Sequence, residues 1–256
     1  MRLMLRKSGN INFIWSDKMK KKYQEKEELL RAYNRLSTIT KKEFKQLILL
    51  SRDRSPVIRF EVAELLFYVK NNASKKVLLK LACDKDELVR TEAYDSLSGF
   101  PLPEVGLFLK KAIQTEKDWL ACSYAISSWV ENALSLFEEH SDDIVFIKEI
   151  LELEKIKKSE HCLLECYYSL YRFGEPGMLE KMLEFLHSKD YRIHFCVYHI
   201  AEVIVNDENR SMLIEALGNM LMEEESAGVR KTVIPFWKQL IIDQTLKTMK
   251  SGSPEE

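Results

Sequence analysis

The segment Asp53-Arg54-Ser55-Pro56-Val57-Ile58-Arg59 indicates a repeat protein, because its pattern returns 31 residues later as Asp84-Lys85-Asp86-Glu87-Leu88-Val89-Arg90. In both copies an arginine follows the first aspartate by six positions and comes directly after an aliphatic residue. Apolar or small residues then recur every three or four positions, in 62–66 and in 93–97, as expected for a helix buried along one face. An internal period of this length indicates an array of similar structural units.

Weaker copies extend the pattern toward the C-terminus. One aligns Arg192 with the repeated arginine and another aligns Arg230 with it. A copy starting at Asp118 keeps the helical pattern without an arginine and places Ala121 31 residues after Arg90; the weakest runs over 158–170. We therefore predict about six units over residues 40 to 245.

An amphipathic segment precedes each signature segment, so the units read as helical hairpins. These segments cover residues 44–50, 77–82, 105–112, 144–151, 178–186 and 213–221. Helix starts are also marked, by a capping box from Thr40 to Glu43 and by Ser55 followed by Pro56. A single hairpin cannot bury its apolar face, but stacked hairpins form a continuous core.

The turn aspartate followed by an aliphatic-arginine pair resembles the second helix of a HEAT repeat, over roughly residues 40 to 245. The resemblance implies an all-α fold, a right-handed α-α superhelix (solenoid) of about six HEAT-like hairpins. It also implies that the turn aspartate and the arginine pair between neighbouring repeats, a role that we assign to Asp53, Arg59, Asp84 and Arg90.

The expected organisation is a flexible segment over residues 1–17, a single repeat domain over 18–249 and a disordered tail over 250–256. Residues 18–36 are predicted to form a helix that caps the first repeat. Its lysines at 18, 20, 21, 22 and 26 could contact an anion, but interspersed glutamates also fit a solvated face.

Composition excludes several classes of protein. Apolar residues make up 46% and charged residues 31%, with only 8 glycines and 6 prolines, which favours globular helical structure. Net charge is −1, although residues 1–45 carry 13 Lys and Arg against 5 Asp and Glu, so the rest of the chain is acidic. No apolar run reaches the length of a membrane span, and the five cysteines lack a C-x-x-C pair. We predict a cytoplasmic protein, with a monomer favoured.

No sequence motif for catalysis is present. The chain has no G-x-S-x-G, no Walker glycine loop and no G-x-G-x-x-G, and His194 and His199 are five apart rather than the four of a zinc helix. We therefore predict no catalytic residue, no metal and no cofactor.

The second helix of each hairpin is expected to line the concave surface that such arrays use for binding. Side chains opposite the core positions form a predicted stripe of aromatic and acidic groups, whose alternative role is packing between repeats. The stripe comprises Phe60, Glu61, Glu64, Tyr68, Tyr94, Asp95, Trp129, Glu165, Tyr168, His194, Tyr198 and Glu202.

This stripe predicts a non-enzymatic module that binds a macromolecular partner, a basic protein that it neutralises or regulates. One alternative is a nucleic-acid-acting enzyme that resembles HEAT-like alkylpurine DNA glycosylases. Their basic concave face contrasts with the acidic residues here, which disfavour nucleic acid. A further alternative is a resemblance to phycobilin lyases, in which a pocket holds a tetrapyrrole.

Overall fold

The computed structural model describes residues 17–35 and 39–251, and all regular structure in this part of the chain is helical. The α-helices are α1 (Asp17–Tyr33), α2 (Lys41–Leu50), α3 (Pro56–Leu66), α4 (Asn72–Leu81), α5 (Glu87–Leu97), α6 (Pro103–Thr115), α7 (Trp119–Leu136), α8 (Ser141–Leu151), α9 (Glu154–Lys157), α10 (Glu160–Arg172), α11 (Met178–Leu183), α12 (Tyr191–Ile204), α13 (Arg210–Glu223) and α14 (Ala227–Ser251). A 3-10 turn, Glu184–His187, follows α11. The predicted all-α class is confirmed.

The helices alternate as the repeat pattern predicts. The signature helices α3, α5 and α7 pack on one another in order, and each contacts its own preceding helix, α2, α4 or α6. Farther along the chain α12 packs on the 3-10 turn and on α14, and α14 packs on α13. Each signature helix is thus the second helix of a hairpin.

The chain divides into two compact units, one ending at residue 165 and one beginning at residue 166. Residues 1–16, 36–38 and 252–256 lie outside the described residues, and with them most of the predicted N-terminal segment and C-terminal tail. Asp17 already begins α1, and α14 continues to Ser251.

Side chains at the turns determine where helices begin. Thr40 accepts a hydrogen bond from the Glu43 amide at 3.3 Å, and the Glu43 carboxylate accepts one from the Thr40 amide at 2.6 Å, which confirms the capping box. Ser55 is the N-cap of α3 with Pro56 next, as predicted, but its hydroxyl makes no capping bond. Its amide instead donates to Asp53 at 2.9 Å, so the aspartate orders the turn.

The core follows the period of the signature segments. Ile58, Val62 and Leu66 on α3 are fully buried, while Val57 is exposed, so Ile58 is the first core position of the helix. Val89 and Leu97 are fully buried on α5 in the same way. Burying one aliphatic side chain of this size contributes about 1.5–3 kcal/mol, and repetition of the pattern fixes the helix register.

No helix in the described part of the chain is both long enough and apolar enough to cross a membrane.

The turn ladder and candidate binding surfaces

The repeated arginines join neighbouring hairpins through two-bonded ion pairs. Arg59 donates from Nε and Nη2 to the two oxygens of Asp84, both at 2.7 Å, and Arg90 donates likewise to Glu116 at 2.7 and 2.8 Å. Nη1 of each arginine donates to the carbonyl six residues before it, at 2.8 Å to Asp53 and 2.9 Å to Asp84. We call this series of contacts the turn ladder.

The first rung of the turn ladder comes from the leading helix. Lys26 on α1 forms an ion pair with Asp53, and α1 packs on α3. The prediction that Arg59 and Asp84 pair between repeats is confirmed, and α1 takes the cationic role ahead of the first hairpin. Lys26 therefore belongs to the array and is not an open anion site.

The third hairpin requires a correction of the predicted alignment. Asp118, aligned above with the turn aspartate, is the N-cap of α7 and accepts from the Ala121 amide at 2.9 Å. The turn carboxylate is Glu116, and the residue six positions later is Cys122, not Ala121. The spacing from Asp84 to Glu116 is 32 residues rather than 31, because α6 is longer than α4, and this shifts the alignment by one.

At this hairpin Lys155 on α9 supplies the donor that an arginine supplies elsewhere. Its Nζ donates to the Glu116 carbonyl at 2.8 Å and also to the Ile113 carbonyl. Cys122 and Cys162 are buried close by, and the Cys162 thiol donates to the Trp119 carbonyl at 3.2 Å.

The fifth hairpin also departs from the predicted alignment. Arg192 is exposed and pairs with its neighbour Asp190 at 2.7 Å. His194 takes the ladder position: one ring nitrogen lies 2.9 Å from the Ser188 carbonyl, six residues back, and the other lies 2.5 Å from the Glu224 carboxylate. The spacing that identifies His194 is its distance of four residues from the N-cap Asp190, the same as from Ser55 to Arg59.

Glu116 shows how the turn ladder holds a buried charge. Burial alone would raise the pKa of Glu116, but hydrogen bonds from Arg90 and from the Asp118 and Lys117 amides outweigh it and hold that pKa below its usual value. Removal of Arg90 would leave a buried, uncompensated carboxylate, which is strongly destabilising.

Five residues of the predicted binding stripe are buried in the structure and form structural contacts. They are Tyr94, Trp129, Glu165, His194 and Tyr198. The Tyr94 hydroxyl donates to Glu116 at 3.2 Å, and the Trp129 ring meets the Phe146 ring edge-on at 4.8 Å between centroids. For these five residues the alternative role of packing between repeats applies, because their helices bury a second face against the next hairpin.

The other members of the stripe remain accessible to different degrees. Tyr68 is 62% exposed and Glu202 is exposed. The half-buried members are Phe60, Glu61, Glu64, Asp95 and Tyr168. Glu202, on α12, accepts a hydrogen bond from the Tyr198 hydroxyl and lies 3.0 Å from His199.

Glu61 has the most unusual environment of these residues. Burial raises its pKa to about 7, with further increases from Glu27 on α1 and from Glu64, opposed by Arg31. One carboxylate oxygen, Oε2, is buried and has no hydrogen-bond partner among the described residues. The protonated form of this carboxyl is therefore favoured below about pH 7.

A cavity that the sequence did not predict lies at the second and third hairpins. It has a volume of about 540 Å³, within the range of small-molecule sites. Its walls include Cys83, Arg90, Tyr94, Phe108, Lys111 and Glu116. Cys83 is exposed. Among the described residues no cluster of three or more histidine, cysteine, aspartate or glutamate side chains could hold a metal ion.

Comparisons with known proteins agree with this geometry. The family model described as HEAT repeats matches residues 45–128, and no curated protein matches the chain. A similar solved structure is a chain of the complex of CpcE and CpcF of phycocyanin lyase from Nostoc sp. PCC7120, with a TM-score of 0.53 and 17% sequence identity. The match covers 88% of this chain and 91% of that chain, and at this identity it shows the fold alone. Residues 45–128 are therefore HEAT repeats, within a chain that folds throughout its described residues as a helical-repeat protein.

Proposed function

We propose that this protein is a non-enzymatic binding module and that its first hairpins bind a basic surface of a protein partner. The surface comprises Glu61, Glu64 and Tyr68 of the first hairpin and Asp95 of the second, and we call it the acidic face. The observation that carries the proposal is the half-buried Glu61 carboxyl, which lies close enough to the carboxylates of Glu27 and Glu64 for them to disfavour its charge.

The electrostatics of Glu61 favour a cationic ligand. Its charged form is disfavoured by burial and by Glu27 and Glu64, so the pKa is raised to about 7. A lysine or arginine of a partner that approaches this half-buried side chain would favour its charged form. The same carboxylates would repel phosphate, which argues against a nucleic-acid ligand on this face.

The aromatic member of the acidic face could add contact area. Tyr68 is 62% exposed at the end of the first hairpin. Tyrosine is enriched among residues that dominate binding energy, because it offers a large surface with few rotatable bonds.

The structural neighbour gives limited further support. That structure is a complex of two proteins, CpcE and CpcF. A helical-repeat fold of this kind can therefore take part in a stable protein complex, and we extend that property, but no partner identity, to the present chain.

Affinity capture from a lysate of the native host, with and without nuclease and at low and high salt, would first identify partners. Binding of a captured protein would then be measured by calorimetry against Glu64→Lys, with Glu139→Lys as the control for charge reversal at an exposed site between α7 and α8. We expect Glu64→Lys to weaken binding by at least about fivefold, roughly 1 kcal/mol, and Glu139→Lys to leave it unchanged. Equal affinity of both variants would contradict the placement on the acidic face. Recovery of nucleic acid that nuclease abolishes would contradict a protein partner.

Glu202→Lys is a separate test of the accessible carboxylate on α12. Loss of binding in this variant alone would move the contact to the unit that begins at residue 166.

A further inference from the structure

We propose that the outward face of the last helix, α14, docks a helical hairpin of a partner protein that presents a carboxylate at its turn. This second interaction surface involves none of the residues of the acidic face. Arg230 occupies the ladder position of the last hairpin that the structure describes.

Arg230 makes the same kind of contact to the preceding turn as Arg59 and Arg90 make. It lies four residues after Ser226, and its Nη1 donates to the carbonyl of Glu224, six residues back, at 3.3 Å and to Leu221 at 2.6 Å. In Arg59 and Arg90 the atoms Nε and Nη2 hold the carboxylate of the next turn. Among residues 17–35 and 39–251, no group accepts a hydrogen bond from these two atoms of Arg230.

The surface beside Arg230 is apolar and basic. On a helix of 3.6 residues per turn, Arg230, Ile234, Lys238, Ile241 and Ile242 fall within about a third of the circumference. Ile242 is 50% exposed, Lys238 is exposed, and Ile234 and Ile241 are half-buried. An exposed apolar strip flanked by cations is suited to an apolar helix that carries acidic groups.

The side of α14 that faces its own hairpin carries the buried Val229, Val233 and Leu240, which lie away from Lys238 and Ile242, and side chains beside the strip are anchored on neighbouring residues. The Trp237 indole donates to the Ile214 carbonyl on α13 at 2.8 Å. Lys247 pairs with Asp207 at 3.1 Å, and Gln244 reaches Ser211 at 3.4 Å. Docking on the free face therefore requires no rearrangement of α13 and α14.

A second copy of this chain offers no unpaired ladder carboxylate among its described residues. Each ladder turn carboxylate in the described part of the chain is already paired with a cation or an imidazole of the same chain. The pairs are Lys26 with Asp53, Arg59 with Asp84, Arg90 with Glu116 and His194 with Glu224. The expected occupant is therefore a different protein with a helical hairpin and an unpaired aspartate or glutamate at the turn.

The test uses a probe hairpin tethered to the full chain. A copy of residues 71–100, which carries the Asp84 turn, would follow residue 256 through a Gly-Ser linker of about 20 residues, with a root-mean-square reach of about 25 Å. The tether supplies a high local concentration of the hairpin. Hydrogen exchange of the α14 amides and of the probe hairpin is then measured.

We expect the tethered hairpin to slow exchange of α14 amides by about tenfold or more and to become protected itself. Arg230→Gln, or asparagine in place of the aspartate that copies Asp84, should remove the protection. Arg192→Gln, which alters an exposed arginine with a local partner, should retain it. A probe that exchanges as an unfolded peptide, or protection that survives Arg230→Gln, overturns the proposal. Concentration-dependent dimerisation of the untethered chain that Arg230→Gln abolishes would instead assign the surface to a second copy.

Discussion

The turn ladder performs the same task with different chemistry in two regions of the chain. Across the first three hairpins, Arg59 and Arg90 each hold a carboxylate through two N–H groups. Between α12 and the turn before α14, His194 contacts Glu224 through one ring nitrogen. The side chain four residues after the N-cap must thus reach both the carbonyl of the preceding turn and the carboxylate of the following turn. Arginine and histidine can both make these two contacts.

The two chemistries should differ in strength. A guanidinium matches a carboxylate with two parallel hydrogen bonds and is always charged, whereas an imidazole offers one bond on each side of its ring. We therefore expect the first region to depend more strongly on its ladder residue than the second.

The largest effect is expected for Arg59→Ala. The Arg59 and Asp84 side chains are only 7% and 12% exposed, so the substitution leaves a nearly buried carboxylate unpaired. We expect the free energy of unfolding to fall by about 3 kcal/mol, measured by denaturant titration.

The control for this substitution is Arg192→Ala, which removes an exposed arginine paired with its own N-cap residue. A surface pair of this kind should contribute less than about 1 kcal/mol. Similar losses in the two variants would contradict a structural role for the turn ladder.

A smaller effect is expected for His194→Ala. The change leaves the Ser188 carbonyl and the Glu224 carboxylate without the imidazole, and the Glu224 side chain is only 5% exposed. We expect a loss of about 1–2 kcal/mol, located by hydrogen exchange in α12 and in the N-terminal part of α14. If this loss exceeds that of Arg59→Ala, the proposed difference between the two regions is wrong.

The smallest effect expected is a pH dependence of the free energy of unfolding that is caused by Glu61 in the first hairpin. The native carboxyl of Glu61 has a pKa of about 7 against an ordinary 4.5, so the native state holds more protons between these values. The free energy of unfolding should therefore fall as pH rises from about 4.5 to about 7 and level off above that.

Glu61→Gln should remove this dependence. At pH 8 the variant should be more stable than the parent by on the order of 1 kcal/mol, allowing for solvent screening of a half-buried group. Thermal unfolding at pH 4.5, 6 and 8 would measure it, with Glu139→Gln as the control for loss of a surface carboxylate. Parallel pH profiles of Glu61→Gln and the parent chain would show that Glu61 does not cause the pH dependence.

The sequence predicted the helical hairpins because their period and caps are local signals. The capping box at Thr40 and the 31-residue spacing of Arg59 and Arg90 depend only on neighbours along the chain. The alignment was wrong at Cys122, because the spacing there is one residue longer than 31. It was also wrong at His194, because Arg192 was aligned by its residue type and the distance from the N-cap was not used.

The candidate site was less predictable because burial depends on contacts between hairpins. Tyr94 and Trp129 lie on the side of their helices that one hairpin alone would leave open, and the next hairpin covers them. The raised pKa of Glu61 depends on Glu27, which is 34 residues away and is brought near by the packing of α1 on α3.

The ladder also limits how a chain of this kind can change in length. Because Arg59 and Arg90 reach the preceding carbonyl at the same spacing and the next carboxylate at nearly the same one, an insertion of one whole unit between them would meet a donor on one side and a carboxylate on the other. An insertion of half a unit would satisfy neither. Gene duplications that add or delete complete hairpins should thus be tolerated far better than shorter insertions within helices, so the ladder gives this lineage a preferred evolutionary step of about 31 residues.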